Sequence, residues 1–448
     1  MPSLPVSFTD TMKAQLGSEW EAFAAAHEIA PPVSIRLNPR KRREMDSQGS
    51  VPWSSYGRYL SQRPSFTFDP AFHAGAYYVQ EASSMFLEQA FLQIGGNAEG
   101  LTVLDLCAAP GGKSTHLLTM MASDSVLVSN EVIRSRASIL SENIQKWGHH
   151  NAVVTSSDPH HFASLDSVFD IAVVDAPCSG EGLFRKDPAA ISTWSPENVV
   201  LCARRQQRIL EDVWPAIKSG GYLIYATCTY NEQENEANLS RLLNRGDAES
   251  VAIRTDPRWN ITEVNQHGVQ AYRFYPHKTL GEGFFMAVIR KTSGAIAPRL
   301  KASGELARVP TRISESINAW MDSAVRLFVY KDEIRAIPDG SEKLLNLLTK
   351  YLYILNAGTL VGTTKQNKVV PGHAAALSVH LDQSQWPEYP VDYDTAIRYL
   401  QKEVLEVAQA TRGFALVRYE GLPLGWVNVL DTRVNNLYPA EWRIRMPG

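Results

Sequence analysis

At 448 residues the chain exceeds the size at which one hydrophobic core stops growing, so it should divide into two or three domains. Hydrophobic residues at 44% and charged residues at 20% are the proportions of a folded globular protein and exclude a fibrous or disordered one. The formal net charge of −3 carries no global basic signal, so any nucleic-acid contact must be local, at Lys41, Arg42 and Arg43, at Arg204, Arg205 and Arg208, or at Arg443 and Arg445. The first residues show no basic segment followed by an apolar one, and no apolar run reaches the roughly 18 residues of a membrane span, so a cytoplasmic protein without a membrane anchor is expected. Four cysteines without metal-ligand spacing point to neither a disulfide framework nor a metal site.

In chain order, residues 1–70 have mixed periodicity and read as a small α/β module. From about 101 to 291, short β-rich runs alternate with amphipathic helical stretches, the pattern of a parallel sheet covered by helices on both faces. Strands are predicted at 101–106, 125–130, 152–155, 169–174, 222–226 and 284–289. A long helix is predicted at 197–218, stopping before Gly220-Gly221. Residues 292–298, small and ending in proline, read as a linker, and 413–444 as a β-rich region with a hairpin turning at Glu420-Gly421. The expected division is 1–70, 71–292 and 300–448. A chain cut after about residue 291 is expected to keep its cofactor affinity and lose affinity for its macromolecular substrate.

The chemistry sits where predicted strands end. Residues 104–115 read Leu-Asp-Leu-Cys-Ala-Ala-Pro-Gly-Gly-Lys-Ser-Thr, a strand entering a small-residue turn and then a helix. Small residues let the backbone approach a ligand, and the helix amino terminus favours an acceptor-rich group. A phosphate-binding loop would need glycine where Cys107 stands, and the three spaced glycines of a dinucleotide site are absent. The second strand ends at Asn130-Glu131, where an acidic residue accepts hydrogen bonds from ribose hydroxyls. The third is followed by Ser156-Ser157-Asp158, placed to read an adenine amino group, although Asp158 taken alone is more often a turn or cap residue. Together these acceptors fit adenosine.

The fourth strand ends Asp175-Ala-Pro-Cys178-Ser-Gly and the fifth Thr227-Cys228-Thr229. Ligands in open α/β sheets bind outside the carboxyl ends of the strands, so both cysteines and Asp175 should converge there. A cysteine at a strand end is ordinarily a small buried hydrophobe, and by its setting alone Cys202 or Cys107 is no more than that.

These residues resemble the Sun-type (NOL/NOP/Sun) family of RNA cytosine-5 methyltransferases. The stretches from Asp105 to Lys113, Asp175 to Gly180 and Thr227 to Thr229 look like its cofactor, base-recognition and nucleophile motifs. Arg36-Leu37-Asn38, the run from Tyr78 to Met85, and Gly281-Glu282-Gly283-Phe284-Phe285 extend the likeness over about residues 34–291. The tail, with its run from Gly421 to Trp426 and Asn435-Asn436-Leu437-Tyr438-Pro439, is similar to the carboxyl-terminal region of RsmF-type ribosomal RNA methyltransferases. The resemblance implies a Rossmann-like class I methyltransferase core between a small α/β amino-terminal module and a PUA-like, RNA-binding carboxyl-terminal region. It implies that Cys107, Ala108, Ala109, Pro110, Gly111, Gly112, Lys113, Glu131, Asp158 and Asp175 hold S-adenosylmethionine. Cys228 becomes the nucleophile and Cys178 the residue that assists release, with Asp175 acting on the base and Lys113 a candidate to help ionise the thiol.

Carbon 5 of cytosine is a poor nucleophile until a thiolate adds at carbon 6, which is why such an enzyme needs a cysteine able to attack and then leave. The expected partner is RNA, ribosomal in the first instance, held by a monomer. The alternatives are a transfer RNA methyltransferase, a DNA cytosine methyltransferase using the Pro-Cys element at Cys178, and a non-catalytic ribosome assembly factor.

Overall fold

The computed structural model describes residues 4–41, 43–294, 306–321, 325–330, 332–365, 368–406 and 411–446. Arg42 and the latter part of the expected linker, 295–298, lie outside the described residues.

The amino-terminal helices Val6–Leu16 and Trp20–His27 lead into a four-stranded antiparallel sheet of β1 (Val33–Leu37), β2 (Gly49–Ser50), β3 (Gly57–Leu60) and β4 (Tyr77–Val79), in the order β2-β3-β1-β4. Its last strand thus lies past residue 70, in the segment that runs on into the core.

The core sheet is built from β5 (Thr102–Asp105), β6 (Val126–Asn130), β7 (Ala152–Thr155), β8 (Phe169–Asp175) and β9 (Ile217–Thr227), all parallel to their neighbours. Strands β10 (Ala248–Val251), β11 (Thr262–Gln266), β12 (Val269–Phe274) and β13 (Phe284–Lys291) add an antiparallel flank beyond β9. Apolar residues of both faces are buried, which is why the central strands read as continuous hydrophobic runs. All six predicted strands are present, within a few residues at their ends. The predicted helix at 197–218 is instead Pro196–Val213, followed by a short 3-10 turn and the early start of β9 at Ile217. Pro215 stops the helix because its ring excludes the helical hydrogen bond, and the glycine pair lies inside the strand, where Gly220 takes a φ of +84°.

After the linker, β14 (Ala307–Arg308), β15 (Val325–Tyr330) and β16 (Glu333–Pro338) start a five-stranded antiparallel sheet. The next strand, β17 (Ile354–Ala357), leaves that sheet and pairs antiparallel with β7, making the core sheet ten-stranded. Phe328, Ile337, Leu345, Leu348 and Leu352 from the same region are buried in one apolar cluster with Leu104, Val128 and Val153 of the core. This revises the expectation for a chain cut after residue 291, which would bare the edge of β7 and open the core beneath it.

Strands β18 (Thr359–Lys365) and β19 (Lys368–Pro371) complete the middle sheet, and β20 (Glu388–Pro390), β21 (Gly413–Tyr419), β22 (Leu422–Val429) and β23 (Val434–Asn436) form the terminal one. The expected hairpin is β21–β22, with Glu420 and Gly421 both at positive φ in its turn. Ile35, Ala71 and Tyr77 of the amino-terminal module share a single cluster with Tyr399, Val417, Leu424 and Tyr438, so the two ends of the chain are packed together. One local expectation fails here. Lys41 is buried at this junction, donating to the carbonyls of Ala74 at 2.8 Å and Lys146 at 2.5 Å, and burial pushes its ammonium down to about 7. It is a structural cation, not a nucleic-acid contact. Arg43 pairs with Asp69 and Glu420, whereas Arg204, Arg205, Arg443 and Arg445 line the solvent-facing side of their elements.

Candidate active site

Strand β5 delivers the chain into residues 106–111, and Gly111, with φ +114°, caps the helix Gly112–Met120. A side chain at Gly112 would stand 3.2 Å from the Tyr78 ring, so glycine there preserves a narrow slot. Beside it lies a cavity of about 140 Å³ walled by Tyr78, Gln80, Asp105, Cys107, Lys113 and Asp175. Asp105 is fully buried, accepts from the Ser114 hydroxyl at 2.6 Å, and is pushed up to about 7 by burial. Its second oxygen has no hydrogen-bond partner among the described residues. A buried, unpartnered carboxylate oxygen on a cradle of small residues is what a ligand carrying N–H or ammonium donors would satisfy. These residues therefore fit the amino-acid end of S-adenosylmethionine.

The two acids expected to bind adenosine differ in how they stand. Glu131, buried at the end of β6, accepts from the Ile133 backbone at 2.9 Å and pairs with Arg136 at 3.3 Å. Asp158 caps the 3-10 turn Pro159–Ser164 and is held by His160 at 2.9 Å and Arg208 at 3.1 Å, the cap geometry the sequence also allowed. Asn130 links the strand ends: its amide donates to the carbonyls of Leu106 and Ser157 and its oxygen accepts from Thr155 and Ser157.

Strands β8 and β9 bring the two cysteines together, with Cys178 and Cys228 sulfurs 3.1 Å apart. Their loops are tied by the Gly182 N–H donating to the Cys228 carbonyl at 2.9 Å. Hydrogen bonding to Cys228, reinforced by burial, pushes the Cys178 thiol well above the ordinary cysteine value. Cys178 is thus the sulfur whose proton is held more firmly than in a free thiol. Lys113 reaches from the helix Gly112–Met120 to Asp175 at 2.7 Å, and although burial opposes it, the Asp175 carboxylate holds the ammonium charged. Cys202 sits on the helix Pro196–Val213, outside the sulfur pair, and Cys107 lines the cavity with its thiol pushed up by burial.

The family of 16S rRNA methyltransferases RsmB/F matches residues 95–290, the amino-terminal domain of RsmF matches 4–82, and the RsmF PUA domain matches 387–444. The ribosomal RNA small subunit methyltransferase F of Vibrio cholerae is 31% identical to this chain, over 98% of the chain and 97% of that protein. The chain belongs to the RsmF family. A methyltransferase homolog from Pyrococcus horikoshii is 30% identical over 61% of this chain and 91% of its own, with a TM-score of 0.52. NSun6 from the same organism, solved with SFG, an analogue of S-adenosylmethionine, shares the fold at 19% identity and TM-score 0.54, covering 65% of this chain and 99% of its own. The Rossmann-like methyltransferase core and the PUA-like terminal region inferred from sequence are therefore those of this family.

Within this RsmF-family site, sequence reasoning missed the carboxylates that hold the cysteine loops. Glu234, fully buried, accepts from the Ser179 backbone at 2.9 Å, the Ser179 hydroxyl at 2.5 Å and the Gln206 amide at 2.9 Å, and burial raises it. Glu181 accepts from the Tyr230 backbone at 3.1 Å and from the Trp194 indole, pushed up to about 7 by burial. Arg36 reaches out of the amino-terminal sheet to Gly112 and Thr115 of the cofactor helix while lying 4.4 Å from the Trp147 ring. The sequence signal for Arg36 is its place in Arg36-Leu37-Asn38, and nothing in the sequence marks out Glu181 or Glu234.

Proposed function

We propose that this protein methylates carbon 5 of a cytosine in small-subunit ribosomal RNA, using S-adenosylmethionine and Cys228 as covalent nucleophile. The observation that carries the reading is the sulfur pair, 3.1 Å across, beside the Lys113–Asp175 ion pair that walls the cofactor cavity. Cys107 through Lys113, Glu131, Asp158 and Asp175 hold the cofactor, which supplies a methyl group on a positively charged sulfur. Cys228 adds to carbon 6 of the base, the electron pair reaches carbon 5, and a proton delivered to ring nitrogen 3 by way of the Asp175 carboxyl draws density during addition. After carbon 5 gains the methyl group it gives its proton to a water held beside Cys178, and the electron pair left behind re-forms the ring double bond as the carbon–sulfur bond breaks and releases Cys228.

Carbon 6 is buried in a base stack, so the target must be flipped or unpaired. A cleft of about 570 Å³ meets the cofactor cavity along Val79, Gln80 and Glu81, and carries Arg63 from the amino-terminal module and Lys186 from the loop after Cys178. Both cations are exposed, which suits contact with phosphates flanking the target. The amino-terminal module and the PUA-like region then act as RNA clamps on either side of a core spanning about 71–292. Arg63→Ala together with Lys186→Ala should leave cofactor affinity unchanged, weaken RNA binding, and flatten the log–log salt dependence by about 0.7 to 0.9 for each phosphate no longer neutralised. An unchanged salt slope by fluorescence anisotropy rejects this path for the strand.

The activity itself is tested by bisulfite mapping of cellular RNA with and without the protein, joined to methyl transfer on an RNA hairpin and its DNA counterpart. One protein-dependent cytosine in small-subunit ribosomal RNA is expected. A site only in transfer RNA would reassign the substrate, and equal use of DNA would reject the reading.

A further inference from the structure

Strand β17 comes from the region beyond the linker yet pairs with β7, the edge of the methyltransferase sheet. The residue just before it, Tyr353, is therefore carried to the carboxyl end of β7. Two hydrogen bonds fix it there: the Ser156 N–H donates to the Tyr353 carbonyl at 2.9 Å, and the Tyr353 N–H donates to the Ser157 hydroxyl at 3.0 Å. Its ring is not buried, since 48% of the residue is exposed, and the Arg134 guanidinium lies 5.0 Å from the ring centroid.

Arg134 opens the helix Arg134–Trp147 directly after Glu131, Val132 and Ile133. Val132 and Ile133 are themselves 53% and 49% exposed, an unusual state for two consecutive branched hydrophobes at a strand end. Glu131, Val132, Ile133 and Arg134 thus leave the end of β6 beside the end of β7, where Tyr353 stands against Arg134, so that a buried acceptor, two exposed apolar residues and an aromatic ring lie along one sheet edge. A ribose hydroxyl pair on Glu131 would leave its attached flat base beside the apolar side chains and the ring. Among the described residues the cavity at Lys113, about 140 Å³, takes in neither Glu131 nor Tyr353, so the adenosine end of the cofactor must lie outside it, toward this edge.

We propose that Tyr353 is a cofactor-contacting residue, packing against the adenine of S-adenosylmethionine and so making the adenosine site a joint product of the core and the carboxyl-terminal region. This rests on the reading that the protein uses S-adenosylmethionine. Its consequence is that the carboxyl-terminal region governs affinity for the small ligand as well as for RNA, because the tyrosine is placed by a strand from outside the core.

The test is titration calorimetry on the full chain with S-adenosylhomocysteine and with 5′-methylthioadenosine, which keeps the adenosine but lacks the amino-acid end. Tyr353→Ala should weaken both ligands by a similar factor of about 10, in the range found for removing one aromatic ring from under a base, while Tyr353→Phe should stay within about 2-fold of the parent. An unchanged thermal midpoint shows that the exposed ring was not needed for folding. Parental affinity in Tyr353→Ala overturns the proposal. So does a loss confined to S-adenosylhomocysteine, or a Phe variant as weak as the Ala one, since neither is a ring-on-adenine contact. A parent chain that binds neither ligand would instead overturn the methyltransferase reading itself.

Discussion

Cys228→Ser should abolish both methylation and covalent attachment to RNA, whereas Cys178→Ser should leave the protein trapped on its RNA. The two sulfurs are 3.1 Å apart, so position alone does not distinguish attacker from helper. Protonation does. Cys178 is driven well above the usual thiol value by its bond to Cys228 and by burial, and a sulfur that holds its proton is the poorer nucleophile. The Lys113 ammonium adds positive charge that favours an anionic sulfur at Cys228. A serine at 228 is hardly ionised near neutral pH and adds poorly to carbon 6, so a loss of at least about 10³-fold, the size of a missing covalent step, is expected. A serine at 178 can still donate a hydrogen bond, so addition and methyl transfer should proceed. What slows is departure of the carbon 5 proton, and without it the carbon–sulfur bond persists. A denaturing gel should show a retarded protein–RNA band for Cys178→Ser and none for Cys228→Ser or the double variant. The opposite pattern would make Cys178 the nucleophile.

The core strands and the convergence at their ends were legible because parallel strands buried on both faces are unbroken apolar runs, and because a ligand in such a sheet meets the chain where those runs stop. That logic brings Cys178, Cys228 and Asp175 to one edge without any distance information, whereas the reach of Lys113 to Asp175 is seen only in the structure. It has no purchase on Glu181, Glu234 or Arg36, whose importance comes from being buried and bonded across as many as 83 positions of sequence. Nor does it reveal β17. Residues 354–357, Ile-Leu-Asn-Ala, are a short run whose neighbour β7 lies about 200 positions away, and only tertiary packing chooses that partner over the sheet nearer in sequence. Lys41 shows the converse error: a cluster of basic residues reads as a charged surface, but the direction of one side chain decides whether its charge faces water or two carbonyls.

Arg273→Ala should destabilise the protein strongly and also depress catalysis through a separable contact. Arg273, buried on β12, donates to Glu236 from Nε at 3.0 Å and from Nη2 at 2.7 and 2.6 Å. Glu236 is fully buried at the start of the helix Glu236–Leu243, so removing the cation strands a carboxylate in the interior, a loss of about 3 to 5 kcal/mol. A third donor, Nη1, reaches the Tyr230 carbonyl at 2.5 Å, two residues beyond Cys228. That bond fixes the path of the chain leaving Cys228, which the Glu236 pair does not. Arg273→Met with Glu236→Leu should therefore recover most of the lost stability, because isosteric apolar replacement of a buried ion pair is close to neutral. Methyl transfer should remain lowered by about 10-fold or more, since a displacement of the attacking sulfur of an ångström is enough to do so. Denaturant midpoints report the first quantity and single-turnover rates the second. Recovery of both in the double variant would show that Arg273 serves only the stability of its ion pair; recovery of the midpoint alone would identify it as a positioning residue for Cys228.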